Sequence, residues 1–223
     1  MREVVVAEEG EVLDVELEED YLKRNEELAA RNRELVDRMG VKVVDVLGSV
    51  GSGKTTLIEA LTARLKDRYR IGVIAGDVAT TIDADRLAKL GVPVVQVNTG
   101  RECHLDANLV AKALAKLDLA KLDLVFVENV GNLICPADFK LGAHWRVVVI
   151  SVTEGPYVVA KHPLIFADAD VVILNKVDLA EVMEVDPDAL LEEVRRLKPG
   201  VKAVKACLRR GLGVEEVVEA LGL

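Results

Sequence analysis

The chain has few aromatics, few cysteines, no long apolar run and no excess of basic charge, and each shortage excludes a class of protein. Phe, Tyr and Trp make up 3% of the 223 residues, so the core has to be built from Val, Leu, Ile and Ala. The three cysteines, Cys103, Cys135 and Cys207, are odd in number and widely spaced. They read as free thiols in a reducing compartment, not as a disulfide framework. The longest apolar stretches, such as Trp145–Val152, are far short of the ~20 residues a membrane span needs. No basic segment followed by an apolar one opens the chain, so nothing reads as a secretion signal. A soluble cytoplasmic protein with no membrane partner is expected. Nucleic acid is excluded as a partner because the basic excess that phosphate-backbone binding demands is missing.

What is present is an acidic arm on a nearly neutral body. Residues 1–20 hold nine acids against Arg2, which is −8 of the chain's net −9 and leaves −1 for the other 203 residues. From Tyr21 to Met39 the apolar residues Leu22, Leu28, Ala29, Leu35, Val36 and Met39 fall at helical spacing, and Gly40 ends the pattern. We divide the chain into residues 1–39, an acidic arm and helix, and residues 40–223, one catalytic domain.

Beyond Gly40 the pattern alternates. Strands are predicted at Lys42–Leu47, Ile71–Ala75, Pro93–Val97, Leu122–Val127, Arg146–Val152, Val171–Asn175 and Val201–Val204. Helices are predicted at Thr55–Lys66, Ala107–Leu117, Asp188–Leu197 and Val214–Leu221. Alternation at these lengths predicts an α/β fold, a doubly wound and mostly parallel sheet covered on both faces.

Gly48-Ser-Val-Gly-Ser-Gly-Lys54-Thr55 matches the phosphate-binding G-x-x-x-x-G-K-[ST] pattern between a strand and a helix. The backbone of Val50, Gly51, Ser52 and Gly53 would cradle phosphates, aided by the helix's positive end. Lys54 would reach the β- and γ-phosphates, Thr55 would offer its hydroxyl to Mg²⁺, and Thr56 would bond the α-phosphate. Further on, Asn175-Lys176-Val177-Asp178 ends a strand on the same sheet edge. A carboxylate at Asp178 accepts from both N1–H and the 2-amino group of guanine, a donor pair adenine lacks. Lys176 can cover the base, and Asn175 can bond N7 and brace the loop. The nucleotide is therefore GTP. Asp77 and Glu128 each end a strand facing this crevice. With Lys54 they are the expected catalytic residues, and with Thr55 the expected Mg²⁺ ligands, the alternative being that either acid only caps the next turn.

A second donor set is soft. Cys103-His104 and Cys135 supply thiolate and imidazole, which suit Ni²⁺ or Zn²⁺ and suit Mg²⁺ poorly. No C-x-x-C pair is present, and spacing alone favours the competing reading of buried core thiols. Three donors fall short of a closed zinc site, which takes four, and two copies of the chain would supply enough.

With these runs the chain resembles the HypB family, P-loop metallochaperone GTPases that help insert nickel during maturation of nickel–iron hydrogenases. The resemblance runs from about Tyr21 to the C-terminus. It rests on Gly48–Thr56, Gly76-Asp77, Asn98–Ala107, Glu128–Pro136, Ser151–Gly155 and Asn175–Asp178. It implies a GTPase that forms a homodimer when GTP binds, with a metal site shared between subunits through Cys103, His104 and Cys135. It also implies nickel transfer to the partner HypA or to the hydrogenase large subunit. Residues 1–20 contain no cysteine, so the cysteine-rich nickel motif of many bacterial relatives is absent there. The guanine loop is represented by Lys205-Ala206-Cys207, with Ala206 as the backbone donor. The similar urease accessory GTPases carry Cys-Pro-His, whereas here Ala137 follows Cys135-Pro136, which disfavours that alternative. A P-loop kinase for a small molecule and a zinc-stabilised dimerisation module are the other readings. No Gln or Arg is evident to orient the attacking water, so hydrolysis is expected to be slow.

Overall fold

The computed structural model describes residues 15–100 and 102–223, so most of the acidic arm and Arg101 lie outside the described residues. The elements run α1 (Val15–Met39), β1 (Lys42–Gly48), α2 (Lys54–Leu65), β2 (Ile71–Asp77), α3 (Ile82–Ala88), β3 (Val94–Asn98) and α4 (Ala107–Leu114). They continue with β4 (Leu124–Glu128), β5 (Trp145–Ser151), α5 (Val158–Lys161), α6 (Pro163–Ala167), β6 (Val171–Asn175), α7 (Pro187–Leu197), β7 (Lys202–Lys205) and α8 (Val214–Leu221).

The strands form one sheet in the order β3-β2-β4-β1-β5-β6-β7, every pairing parallel. Strands buried on both faces need apolar side chains at consecutive positions, which is why Val147–Ile150 and Val171–Leu174 are unbroken Val/Ile/Leu runs. Helices α2, α3 and α8 cover one face through Leu57, Ile58, Leu61, Leu87, Val217 and Leu221. On the other face, α1 and α4 cover the β1–β4 half with Val36, Val110 and Leu114, and α5, α6 and α7 cover β5 and β6 with Val159, Phe166, Leu190 and Val194. The α/β fold with a fully parallel, two-sided sheet agrees with the expectation. The central strand β1 lies between β4 and β5; the connection from its end crosses to β2 on one side, and that from β5 runs to β6 on the other. Such a reversal is where an open α/β sheet forms its ligand crevice.

Helix α1 begins at Val15, six residues before the predicted start. Its buried line is Asn25, Ala29, Asn32 and Val36 rather than the leucines. Asn25 donates to Lys140 O at 2.9 Å and accepts from Ala107 N at 2.8 Å. Asn32 donates to Ala107 O at 2.8 Å and Leu141 O at 3.1 Å. Two carboxamides thus fasten α1 to the start of α4 and to the 140–141 loop.

Candidate nucleotide cleft and metal centre

A cleft of about 1240 Å³ opens along the carboxyl ends of the central strands. Its wall includes Val50, Gly51, Gly53, Lys54, Thr55, Thr56, Asp77, Cys103, Glu128, Asn175, Lys176 and Asp178. The loop from β1 to α2 turns through Gly48, Gly51 and Gly53, at φ +148°, +78° and +114°. A Cβ at Gly53 would collide with the Asn175 side chain, so glycine is required there by contact as well as by backbone angle. Lys54 is mostly buried and donates to Gly48 O at 3.1 Å and Ser49 O at 3.0 Å. Burial lowers its pKa, against the pull of Glu128 and Asp83.

Oxygen donors gather beside it. The Thr55 hydroxyl lies 2.6 Å from Glu128 Oε1 and 3.0 Å from Asp83 Oδ1. Burial pushes Glu128 up to about 7, with Thr55 and Lys54 opposing, and its Oε2 is buried without a hydrogen-bond partner. Hard oxygens around one unpartnered carboxylate atom fit Mg²⁺. Asp83, on α3, was not singled out from the sequence; it belongs to a short helix with no apolar periodicity to mark it. Asp77 lines the cleft, but its carboxylate accepts from Ala79 N and Thr80 N, each at 2.9 Å, and from the Thr80 hydroxyl at 3.0 Å. Burial raises its pKa, and the N–H bonds from Thr80 and Ala79 outweigh that and hold it low. In this structure it caps its own turn.

At the other end, Asn175 donates to Ser52 O at 2.8 Å and accepts from Leu208 N at 3.1 Å, tying the phosphate loop to the loop after β7. Lys176 takes a left-handed backbone (φ 59°) and its ammonium donates to the Thr153 hydroxyl at 3.3 Å. Asp178 is held below the ordinary carboxylate range by the Cys207 thiol and by Arg210, whose guanidinium lies 3.4 Å away. Ser52 and Ala206 are buried and do not line the cleft. The Ala206 N–H donates to Leu174 O at 2.8 Å, extending the sheet; Cys207, Arg209 and Arg210 are the residues of this loop that reach the cleft.

The soft donors converge as well. The ligand atoms of Cys103, His104 and Cys135 all lie within 4.8 Å of one another, the two sulfurs 2.8 Å apart. His104 stacks on Phe139, ring centroids 3.9 Å apart, and its buried Nδ1 has no partner. Burial lowers its pKa, so the imidazole is neutral and free to ligate. The Cys135 thiol and burial push the Cys103 thiol up. A cation that displaces its proton is what turns the pair into ligands. An unpartnered imidazole nitrogen against two thiols fits Ni²⁺ or Zn²⁺. Cys103 also lines the nucleotide cleft, so the two sites share a wall.

Asn129 builds that wall. It follows Glu128, and its Oδ1 accepts from Leu105 N and Val130 N, each at 3.0 Å, while Nδ2 donates to Asp45 at 3.3 Å. Sequence reading passed over it, because a single Asn after a strand is common in turns.

Residues 42–205 match the family model described as CobW/HypB/UreG, nucleotide-binding domain. The probable hydrogenase maturation factor HypB of Methanocaldococcus jannaschii is 48% identical over 92% of this chain and 93% of its own length. The chain spans about two thirds of the length of the bacterial HypB factors that follow it in similarity. The crystal structure of HypB from Archaeoglobus fulgidus is 42% identical with a TM-score of 0.84, covering 90% of this chain and 98% of that one. HypB from Helicobacter pylori, solved in complex with nickel, is 38% identical with a TM-score of 0.83 and covers 89% and 93%.

Proposed function

The chain belongs to the CobW/HypB/UreG nucleotide-binding family, among its HypB hydrogenase maturation factors, and from that premise we propose that it is a GTP-switched nickel carrier. It binds and hydrolyses GTP with Mg²⁺ and holds nickel, its cargo, on Cys103, His104 and Cys135. It then passes the nickel on during maturation of a nickel–iron hydrogenase in the cytoplasm, through HypA or directly to the large subunit. The observation that carries this reading is the position of Cys103, which lines the nucleotide cleft and belongs to the Cys/His cluster at once.

Each residue has its part in this proposal. The loop amides of Val50–Gly53 and the Lys54 ammonium neutralise the phosphates, Thr56 bonds the α-phosphate, and Asp178 reads guanine. Thr55 and Glu128 would hold Mg²⁺, with Asp83 bonded to the same hydroxyl and Asp77 on the same cleft wall; the ion, when bound, would neutralise phosphate charge. Among the described residues Arg86 is the arginine of α3 on the cleft wall, and its guanidinium is bonded to Glu59 and Asp83. It is thus spent on the protein, in keeping with slow hydrolysis. Three soft donors suit a carrier that loads and releases, and a GTP-promoted homodimer would complete the ligand set. Zn²⁺ competes for the same donors.

GTP turnover with Mg²⁺ tests the proposal alongside Ni²⁺ binding. The expected turnover is slow, below about one per second, selective over ATP and abolished in Lys54→Ala, with Ni²⁺ binding lost in Cys103→Ser. Equal use of ATP, or Ni²⁺ binding indifferent to the cysteine, would overturn it.

A further inference from the structure

One buried charge is used neither by the nucleotide contacts nor by the donor set. Asp45 lies in the middle of β1 at 1% exposure, on the face where Val41 and Val43 are apolar core residues. Removing a carboxylate from water is costly unless it is paired, so an acid here needs a reason. Its partners come from the two flanking strands. Arg146 is its register neighbour on β5, with Nε 3.7 Å from Asp45 Oδ2. Asn129, past the end of β4, donates to Oδ1 at 3.3 Å. Each partner grips one donor-bearing loop. Asn129 accepts from Leu105 N, the residue after His104. The Arg146 guanidinium donates to the carbonyls of Pro136 and Ala137, directly after Cys135, and to Asp168 at 2.8 Å.

We propose that Asp45, Arg146 and Asn129 form a brace that positions the Cys103-His104 loop against the Cys135 loop, so that the metal-binding geometry is set from the centre of the sheet. The inference rests on the reading that these three residues hold the metal. Asp45 and Arg146 are positioning residues; neither touches the metal or the nucleotide. A planar guanidinium suits this task, since its fork spans two successive carbonyls and a carboxylate at fixed angles; a lysine ammonium would keep the charge opposite Asp45 without the fork.

Co²⁺ titration of the full chain reads the geometry directly, through thiolate-to-metal charge-transfer and d–d bands. It is carried out on wild type, Cys103→Ser, Arg146→Ala, Arg146→Lys and Asp45→Asn, with GDP affinity measured on the same preparations. Arg146→Ala and Asp45→Asn are expected to weaken Co²⁺ binding about 10–100-fold, the usual range for residues that orient metal ligands. The d–d bands should shift while GDP affinity is unchanged, and Arg146→Lys should recover part of the loss. Should Arg146→Ala fail to fold, the near-isosteric Asp45→Asn carries the test. Folded variants with wild-type Co²⁺ affinity and spectrum overturn the brace alone. Wild-type bands that survive Cys103→Ser overturn the metal reading, and the brace with it.

Discussion

The Leu105 N–H donates to Asn129 Oδ1 at 3.0 Å. Leu105 follows His104 of the soft donor set, and Asn129 follows Glu128, whose carboxylate bonds the Thr55 hydroxyl at the phosphate end of the cleft. One side-chain hydrogen bond therefore separates the two sites. Any shift of the Glu128 strand end would pass to the Cys103-His104 loop through this bond, with no long relay between.

Asn129→Ala should break that link. It leaves the Leu105 and Val130 N–H groups without their acceptor, at a cost of about 1–3 kcal/mol for a buried donor. Urea unfolding should show a loss of that order. Metal affinity should also become insensitive to the bound nucleotide, and a variant as stable and as responsive as wild type would contradict the link.

The α1 attachment should be equally measurable. Asn32 is buried and its Nδ2 serves two carbonyls, Ala107 O and Leu141 O, so Asn32→Ala should destabilise the fold by about 1–3 kcal/mol. Asn32→Asp should be worse, since a carboxylate would face those two oxygens. Equal midpoints for the two variants would argue against this role.

Asp45 predicts a pH signature. Burial pushes it from 3.8 up to about 6, with Arg146 and Asn129 opposing. A carboxylate that holds its proton more tightly when folded makes the fold less stable as pH rises between those two values. Relative to wild type, Asp45→Asn should therefore gain stability across that window, on the order of 1–3 kcal/mol, and hold the gain above it. Chemical unfolding of both proteins from pH 4 to pH 8 checks this, and parallel profiles would contradict it.

Base selection should move with Asp178. An asparagine there offers one acceptor and one donor, which match N1–H and the 2-oxo group of xanthine instead of guanine's two donors. Asp178→Asn should lose GDP affinity on the order of a hundredfold, the worth of hydrogen bonds to a charged acceptor, and gain affinity for xanthosine diphosphate. Competition binding gives both numbers.

The fold was readable because parallel strands buried on both faces leave continuous Val/Ile/Leu runs, and the structure places them within one or two residues of the predicted bounds. Helix α3 was not readable: Ile82–Ala88 is seven residues with two acids in its first turn, held by Leu87 in the core and by the Arg86–Glu59 pair rather than by its own periodicity. Asp83 stayed hidden with it. The cleft was legible as a motif, because a phosphate cradle needs particular residue types at fixed places; the Cys/His cluster was not, since the spacing of Cys103, His104 and Cys135 favoured core thiols and only the family resemblance pointed to a metal site. Nor were the supports of either site. An Asp at position 45 inside an apolar strand was a visible signal of a buried charge, but its partners at 129 and 146 depend on strand order. Ala206 illustrates the reverse: its place in a guanine loop was inferred from a short sequence match, and its N–H proves to be part of the sheet.

The most direct test of the account is Ni²⁺ affinity together with oligomeric state, on protein loaded with GDP or with a non-hydrolysable GTP analogue. Wild type is compared with the Cys103→Ser, Cys135→Ser double variant. The account predicts a dimer with the GTP analogue, and a Ni²⁺ affinity that differs between nucleotide states in wild type and not in the double variant. Ni²⁺ binding that ignores both the nucleotide and the two cysteines would contradict it.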